Sequence, residues 1–273
     1  MNIALVTELE ASDLRPYRTL RRPVEHRRQG IFVAEGEKVV RRLLESRLEV
    51  LSVLMTPEWL RLYKPLLEAR PADTLVFVAD KKLVETIVGF HLHQGIMAVG
   101  RIPNSGRLED VLAAATRPSL FVAVDGLANA ENLGVLVRNC AAFGVGAFLV
   151  GETSSSPYLR RAVRNSMGTV FNLPVVHTAN LANTLKQLRT THGIRILAAH
   201  PHAQEKRLQL APLVDDCCLV FGSEGEGISP EVLDVCNERV AITMKEGVDS
   251  LNVASASAVL LYEAQRQRAL KTR

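Results

Sequence analysis

The chain is poor in cysteine: Cys140, Cys217, Cys218 and Cys236 include one adjacent pair and no C-x-x-C spacing. That pattern excludes a disulfide framework and a cysteine zinc site, and predicts reduced, buried thiols. The histidine pairs His91/His93 and His200/His202 have no third ligand cluster, so no metal is expected. No apolar run reaches the roughly 18 residues of a membrane-spanning helix. The opening Met-Asn-Ile-Ala-Leu-Val-Thr-Glu-Leu-Glu turns acidic before a signal-peptide core develops. A cytoplasmic protein with no membrane partner is therefore expected. Internal repeats and low-complexity tracts are also missing. With 47% hydrophobic and 23% charged residues among 273, the composition excludes a disordered or collagen-like chain and suits two domains that each bury a core.

Charge is concentrated. The formal net charge is +4, and residues 11 to 30 alone hold Arg15, Arg18, Arg21, Arg22, Arg27 and Arg28 against Asp13 and Glu25. Such a segment points to a polyanionic partner or to a solvated basic face.

Residues 1–100 alternate helical and strand patterns: helix over 37–47, strand over 49–55, helix over 57–69, strand over 74–78, a short helix from Asp80, and a strand from His93 to Val99. Residues 101–118, with Pro103, Gly106 and Pro118, read as a linker around a short helical pattern at 108–115. From residue 119 to 273 the pattern changes to near-continuous apolar runs at 120–124, 147–150, 194–199, 217–221 and 240–244. Helical segments at 133–143, 158–167, 181–192, 230–236 and 253–270 separate them. Runs of this kind fit strands buried on both faces of a parallel sheet, so the fold class is α/β, doubly wound.

Ligands bind beyond the carboxyl ends of such strands, which directs attention to three loops. The first runs from Asp125 into a helix that carries Asn132, Gly134 and Arg138; Asn132 is a candidate N-cap, and an arginine near a helix start suits a phosphate. The second, Gly222-Ser-Glu224-Gly225-Glu-Gly227-Ile228, lacks the dinucleotide fingerprint spacing but sets carboxylates inside a glycine-rich turn. The third, Ser250-Leu251-Asn252-Val253, enters the last helix, which Ser250 or Asn252 could cap. It is followed by the small residues Ala254 to Ala258, a pattern that suits close approach of another backbone.

Together these loops resemble the SpoU (TrmH) family of RNA ribose methyltransferases, within the SPOUT superfamily. The matching motifs are Asn132-x-Gly134-x-x-x-Arg138, Gly222-Ser-Glu224-Gly225-x-Gly227-Ile228 and Ser250-Leu251-Asn252-Val253. Residues 155–168 are similar to a further family segment. Residues 31–43 and His93-Gln-Gly-Ile96 are similar to the family's amino-terminal domain, which is related to a ribosomal protein. Four positions depart from the family: Asn129-Ala130 replaces an Asp-Pro pair, Asn139 replaces Thr and Ala254 replaces Ser.

The resemblance implies a carboxy-terminal parallel-sheet domain (119–273) with a deep trefoil knot that binds S-adenosyl-L-methionine, and a smaller α/β RNA-binding domain (1–100). It implies cofactor contacts from Gly222, Ile242 and Leu251, largely through backbone, where Ile242 in isolation would read as sheet core. It implies that Arg138, Asn132, Glu224, Ser250 and Asn252 serve transfer of a methyl group to a ribose 2′-hydroxyl. A guanidinium is a permanent cation, so Arg138 is expected to clamp RNA phosphate and orient the hydroxyl, with its plane fixed by Glu224. Arg21, Arg22, Arg27 and Arg28 are expected to bind RNA, joined by Arg160, Arg161 and Arg164. Ribosomal RNA is expected ahead of transfer RNA, DNA is not expected, and the family habit implies a homodimer. Competing readings are a base methyltransferase of the same superfamily, a non-catalytic RNA-binding protein, and a nucleotide-dependent oxidoreductase.

Overall fold

The computed structural model describes residues 2–7, 12–88, 95–201 and 207–271. His91, His93 and His202 lie outside them. Two compact units form, Met1–Asn104 with Tyr158–Asn172, and Ser105–Pro157 with Leu173–Arg273.

The first unit runs β1 (Asn2–Leu5), α1 (Arg15–Arg18), α2 (Pro23–Arg28), β2 (Ile31–Glu35), α3 (Glu37–Glu45), β3 (Val50–Met55), α4 (Pro57–Glu68), β4 (Leu75–Val78), α5 (Lys81–Val88) and β5 (Ile96–Arg101). The sheet order is β1-β4-β3-β5-β2. Strands β1, β4 and β3 are parallel, and β5 runs antiparallel to both β3 and β2. Helix α3 buries Val39, Val40, Leu43 and Leu44, the helical spacing that turns one stripe to a core. Strand β1, at the sheet edge, and β2 lie outside the segments expected from pattern.

The second unit begins with α6 (Leu108–Ala114), β6 (Leu120–Val124), α7 (Ala130–Ala142) and β7 (Ala147–Val150). After α8 (Arg160–Asn165) come β8 (Val175–His177), α9 (Leu181–His192), β9 (Arg195–Ala199), β10 (Cys217–Phe221), α10 (Pro230–Val235), β11 (Glu238–Val240) and α11 (Val253–Lys271). Every pairing in the order β11-β9-β10-β6-β7-β8 is parallel. Strands β6, β7 and β10 are buried along their whole length, as a sheet covered on both faces requires. The chain leaves β6 toward β7 and β8 on one side and places β9, β10 and β11 on the other, so the strand order reverses between β6 and β10.

The strand expected over 240–244 ends instead at Val240. Its neighbour β9 stops at Ala199, so Ala241 makes only an isolated bridge to Arg207 and the following residues leave the sheet. Strand β8, with three residues, is too short to have shown a pattern.

Helix α8 packs within the first unit. Tyr158 and Phe171 flank Phe32 of β2, with ring centroids 5.6 and 5.3 Å away. Gly100 of β5 lies against the same ring, where a Cβ would come within 2.5 Å. Arg160 and Arg164, expected on an RNA surface, both hold the Glu35 carboxylate, which is 8% exposed, Arg164 at 3.1 Å. Leaving a buried carboxylate unpaired is costly, so these two arginines are fixed structural partners.

In the second unit Asp216 accepts from the Ser119 amide at 2.6 Å and the Ser119 hydroxyl at 2.8 Å, and pairs with Arg117. Burial alone would raise the Asp216 pKa; the Ser119 bonds and the cation outweigh it and hold it below the ordinary aspartate range. A depressed folded value means the stabilisation is present above the unfolded pKa and is lost as pH falls through the folded one. Asp216→Asn should cost about 1–3 kcal/mol near neutral pH. In denaturant titrations that deficit should shrink at about pH 3; an equal deficit at both pH values would refute the linkage.

Candidate active site

Strand β6 ends at the strand reversal. The Asp125 amide donates to the Phe221 carbonyl at 2.9 Å, and Asp125 Oδ2 accepts from the Ser229 amide at 2.8 Å. This carboxylate, set directly after an apolar strand, joins the two loops that leave β6 and β10. The cap of α7 is Asn129, whose Oδ1 accepts from the amides of Glu131 at 2.9 Å and Asn132 at 3.1 Å. Asn132 is therefore not the N-cap, and its side chain is available for other bonds. Its Nδ2 donates to Glu224 Oε1, and its Oδ1 accepts from Asn252 Nδ2 at 3.1 Å. One residue from each of the three loops thus enters a single hydrogen-bonded chain.

The glycine-rich loop folds on itself. Ser223 and Gly227 exchange backbone bonds of 2.9 and 3.2 Å, Gly227 has φ +71°, and the Glu226 amide donates to Ser223 Oγ at 3.0 Å. A Cβ on Gly222 would lie 2.2 Å from the Gly227 carbonyl carbon. The loop's own backbone therefore demands glycine at 222, whatever ligand contact that residue also makes. Gly225 faces open space.

Asn252 caps α11, its Oδ1 accepting from the Ala254 amide at 2.9 Å. Ser250 and Leu251 beside it are exposed. Arg138 is also exposed and makes no hydrogen bond or ion pair among the described residues. Glu224 takes the Asn132 amide, so the expected Arg138–Glu224 pairing is absent from the described contacts. Asn139, noted in the sequence only as a departure, donates from Nδ2 to the Ala254 carbonyl at 2.8 Å and to Ser257 Oγ at 2.9 Å, joining α7 to α11.

These loops surround a cavity of about 470 Å³. Gly222, Ile242 and Leu251 line it together with Phe221, Ile228 and Val240, and Glu224, Ser250 and Asn252 stand in the same wall. Ile242 is half-buried there. Among the described residues three carboxylates line the cavity, Glu224, Glu226 and Asp249, without a lysine or arginine. Such a lining suits an organic cation with apolar parts and disfavours the pyrophosphate of a dinucleotide.

Arg21, Arg22, Arg27 and Arg28 are exposed on and beside α2; Arg22 lies 3.8 Å from Glu25, and Arg21, Arg27 and Arg28 have no ion pair among the described residues. Arg15 is held by Glu25 at 2.6 Å. Burial pushes the Cys217 and Cys236 thiols up to about 11 and raises Cys140 and Cys218 as well, the environment of inert thiols. Among the described residues no group of three or more His, Cys, Asp or Glu could hold a metal ion, and no helix is long and apolar enough to cross a membrane.

A parallel α/β sheet with a carboxylate-lined cavity beyond its strand ends defines a protein whose site suits a small organic cation. Residues 119–262 match the SpoU rRNA Methylase family. An uncharacterized tRNA/rRNA methyltransferase of Mycobacterium tuberculosis is 34% identical over 250 residues, 90% of this chain and 84% of that one. An RNA 2′-O ribose methyltransferase of known structure aligns with a TM-score of 0.75 at 26% identity, over 97% of this chain and all of the other. An AdoMet-bound rRNA methyltransferase from Sinorhizobium meliloti shares the fold, with a TM-score of 0.84 at 23% identity over 97% of this chain and 98% of that one. The chain belongs to the SpoU family and is an RNA methyltransferase.

The two glycines of the second loop give a paired test. Gly222→Ala should destabilise the protein by about 1–3 kcal/mol, because loop backbone must shift. Gly225→Ala should stay within about 0.5 kcal/mol of the parent. Equal unfolding midpoints for the two variants would sink this account of Gly222.

Proposed function

We propose that the protein transfers the methyl group of S-adenosyl-L-methionine to a ribose 2′-hydroxyl of structured RNA, in the cytoplasm and as a homodimer. Ribosomal RNA is the favoured substrate class, ahead of transfer RNA. The observation that carries this reading is the hydrogen-bonded chain in which Asn132 joins Glu224 and Asn252, two residues in the wall of a cavity lined by carboxylates and apolar groups. The lining fits the cofactor: apolar side chains for its adenosine, carboxylates for its positive charges, and no lysine or arginine among the described lining residues. The likeness to an RNA 2′-O ribose methyltransferase supports the ribose as acceptor. The exposed Val259 and Tyr262 of α11 offer an apolar face for a second copy. The family's deep trefoil knot is part of the same proposal.

Gly222, Ile242 and Leu251 would hold the cofactor. When bound, it would supply an electrophilic methyl on a sulfonium; in-line displacement by a ribose 2′-oxygen would form the O–C bond as the C–S bond breaks, with S-adenosylhomocysteine as leaving group and the hydroxyl proton passing to the carboxylate or to water. Asn132 fixes the Glu224 carboxylate through Oε1, which leaves Oε2 with no partner among the described residues and able to accept from the ribose hydroxyl. Asn252 fixes Asn132 in turn, and the exposed Ser250 hydroxyl can bond the ribose. Arg138, whose guanidinium has no partner among the described residues, clamps an RNA phosphate and orients the hydroxyl. Arg21, Arg22, Arg27 and Arg28 neutralise further phosphates.

The test is transfer of labelled methyl to RNA that lacks the modification, followed by nucleoside analysis. The label should appear in a 2′-O-methyl nucleoside. Label in a methylated base instead would establish a base methyltransferase. Arg138→Lys should lower turnover by about a hundredfold while cofactor affinity holds, because lysine cannot reproduce a planar clamp. Normal turnover in that variant would end the clamp role. Reversing the charges of Arg21, Arg22, Arg27 and Arg28 should weaken RNA binding and flatten its salt dependence; unchanged affinity would make the segment a solvated face only.

A further inference from the structure

We infer that Asn139 is a positioning residue for methyl transfer, acting at a distance by setting the separation of Asn132 and Asn252; as a claim about catalysis, this rests on the function proposed above. Asn139 does not line the cavity. It lies on α7, seven residues after Asn132, and next to Arg138. Both hydrogens of its side-chain amide are used, one on the Ala254 carbonyl at 2.8 Å and one on Ser257 Oγ at 2.9 Å. Ser257 is fully buried and donates to the same Ala254 carbonyl at 2.7 Å, so the three groups form a closed triangle between α7 and the first turns of α11.

Ala254 has a second role. Its amide is the one capped by Asn252 Oδ1, at 2.9 Å, and Asn252 Nδ2 donates to Asn132 Oδ1 at 3.1 Å. A circuit therefore closes: Asn132, two turns along α7 to Asn139, across to Ala254, back to Asn252, and across again to Asn132. The helical stretch from 132 to 139 is rigid, and the Asn252 cap fixes its side chain to the Ala254 amide. The bond at Asn139 thus determines where Asn252 stands relative to Asn132, and through Asn132 where Glu224 stands.

With Asn139 lost, the Asn132–Asn252 bond and the packing of the two helices are left to hold a register that the Asn139 bonds no longer fix. A displacement of an ångström or less at the reacting end is enough to lower turnover, because positioning losses reach about a hundredfold for 1 Å. Asn139 stands outside the cavity lining and spends both amide hydrogens on α11, so substrate and cofactor affinities should be spared.

The experiment compares Asn139→Ala, Asn139→Asp and Asn139→Thr with the parent. Asn139→Ala and Asn139→Asp lack a donor and should lose about 10- to 100-fold in kcat, with the KM for RNA and the Kd for S-adenosyl-L-methionine within about threefold. Asn139→Thr keeps one donor and should recover part of that loss. In an Asn252→Ala background, where the circuit is already open, Asn139→Ala should cost almost nothing more. A loss that is additive in the double variant, or that falls on KM and Kd, would show a general packing role and overturn the proposal. Should Asn139→Ala unfold, Asn139→Thr carries the same comparison. A second readout needs no turnover: the Asn132 and Asn252 side-chain amide resonances should shift in Asn139→Ala, and unchanged resonances would overturn the positioning claim by themselves. A parent protein that methylates no RNA would overturn the proposed function, while the resonances would still decide whether Asn139 sets the contact.

Discussion

The parallel pairing of β6 with β10 is the contact on which the site depends. Its register, Leu120 with Cys217 through Val124 with Phe221, brings both strands to an end at the same level. The hydrogen bonds from the Asp125 amide and to the Asp125 carboxylate carry that pairing beyond the strands and into both loops. The strand order reverses at this point, so the loops diverge and leave space between them, as open parallel sheets do at such a position. Nothing in either loop would set Asn132 against Glu224 without that shared level.

The hydrophobic pattern made much of the second unit legible. Runs at 120–124, 147–150 and 217–221 became strands at those bounds, because strands covered on both faces have no polar position to blur their ends. The helix expected at 181–192 was equally plain, with Asn180 as cap and Gly193 in the left-handed region at φ +67°. Edges were hidden. Strand β1 exposes Ile3 and Leu5, and β8 has three residues, so neither gives a periodic signal. The run over 240–244 is apolar for a different reason: Ile242 and Met244 face a cavity, and apolar lining cannot be told from apolar core by composition.

The site was legible as a set of residues and illegible as a set of bonds. All of Asn132, Glu224, Asn252, Gly222, Ile242 and Leu251 stand around one cavity or in its hydrogen-bonded wall, yet which pairs meet depends on distances that spacing does not carry. Asn129 capping α7 is what releases Asn132, and two asparagines three residues apart compete for that role on equal chemical terms. Arginine was the hardest residue to read. Arg160 and Arg164 looked like Arg21 and Arg28 in sequence, and only the burial of Glu35 on a distant strand makes the first two structural.

The distribution of charge follows from the reaction proposed for this fold. Such a transfer requires one site to receive a cation and a neighbouring surface to receive a polyanion. A lysine or arginine inside the cavity would raise the cost of burying a sulfonium, and a carboxylate beside the phosphate contact would repel RNA. The protein separates the two demands along one helix. The first turn of α7 faces the carboxylate side through Asn132, a neutral amide that bonds Glu224 without adding charge, and the exposed Arg138 follows six residues later. Asparagine at 132 and at 252 is then a choice of charge as much as of shape. Each passes a hydrogen bond from one loop to the next while the field at the cavity stays negative. A charged residue at either position would tie the loops together only by cancelling that field or by adding a repulsion.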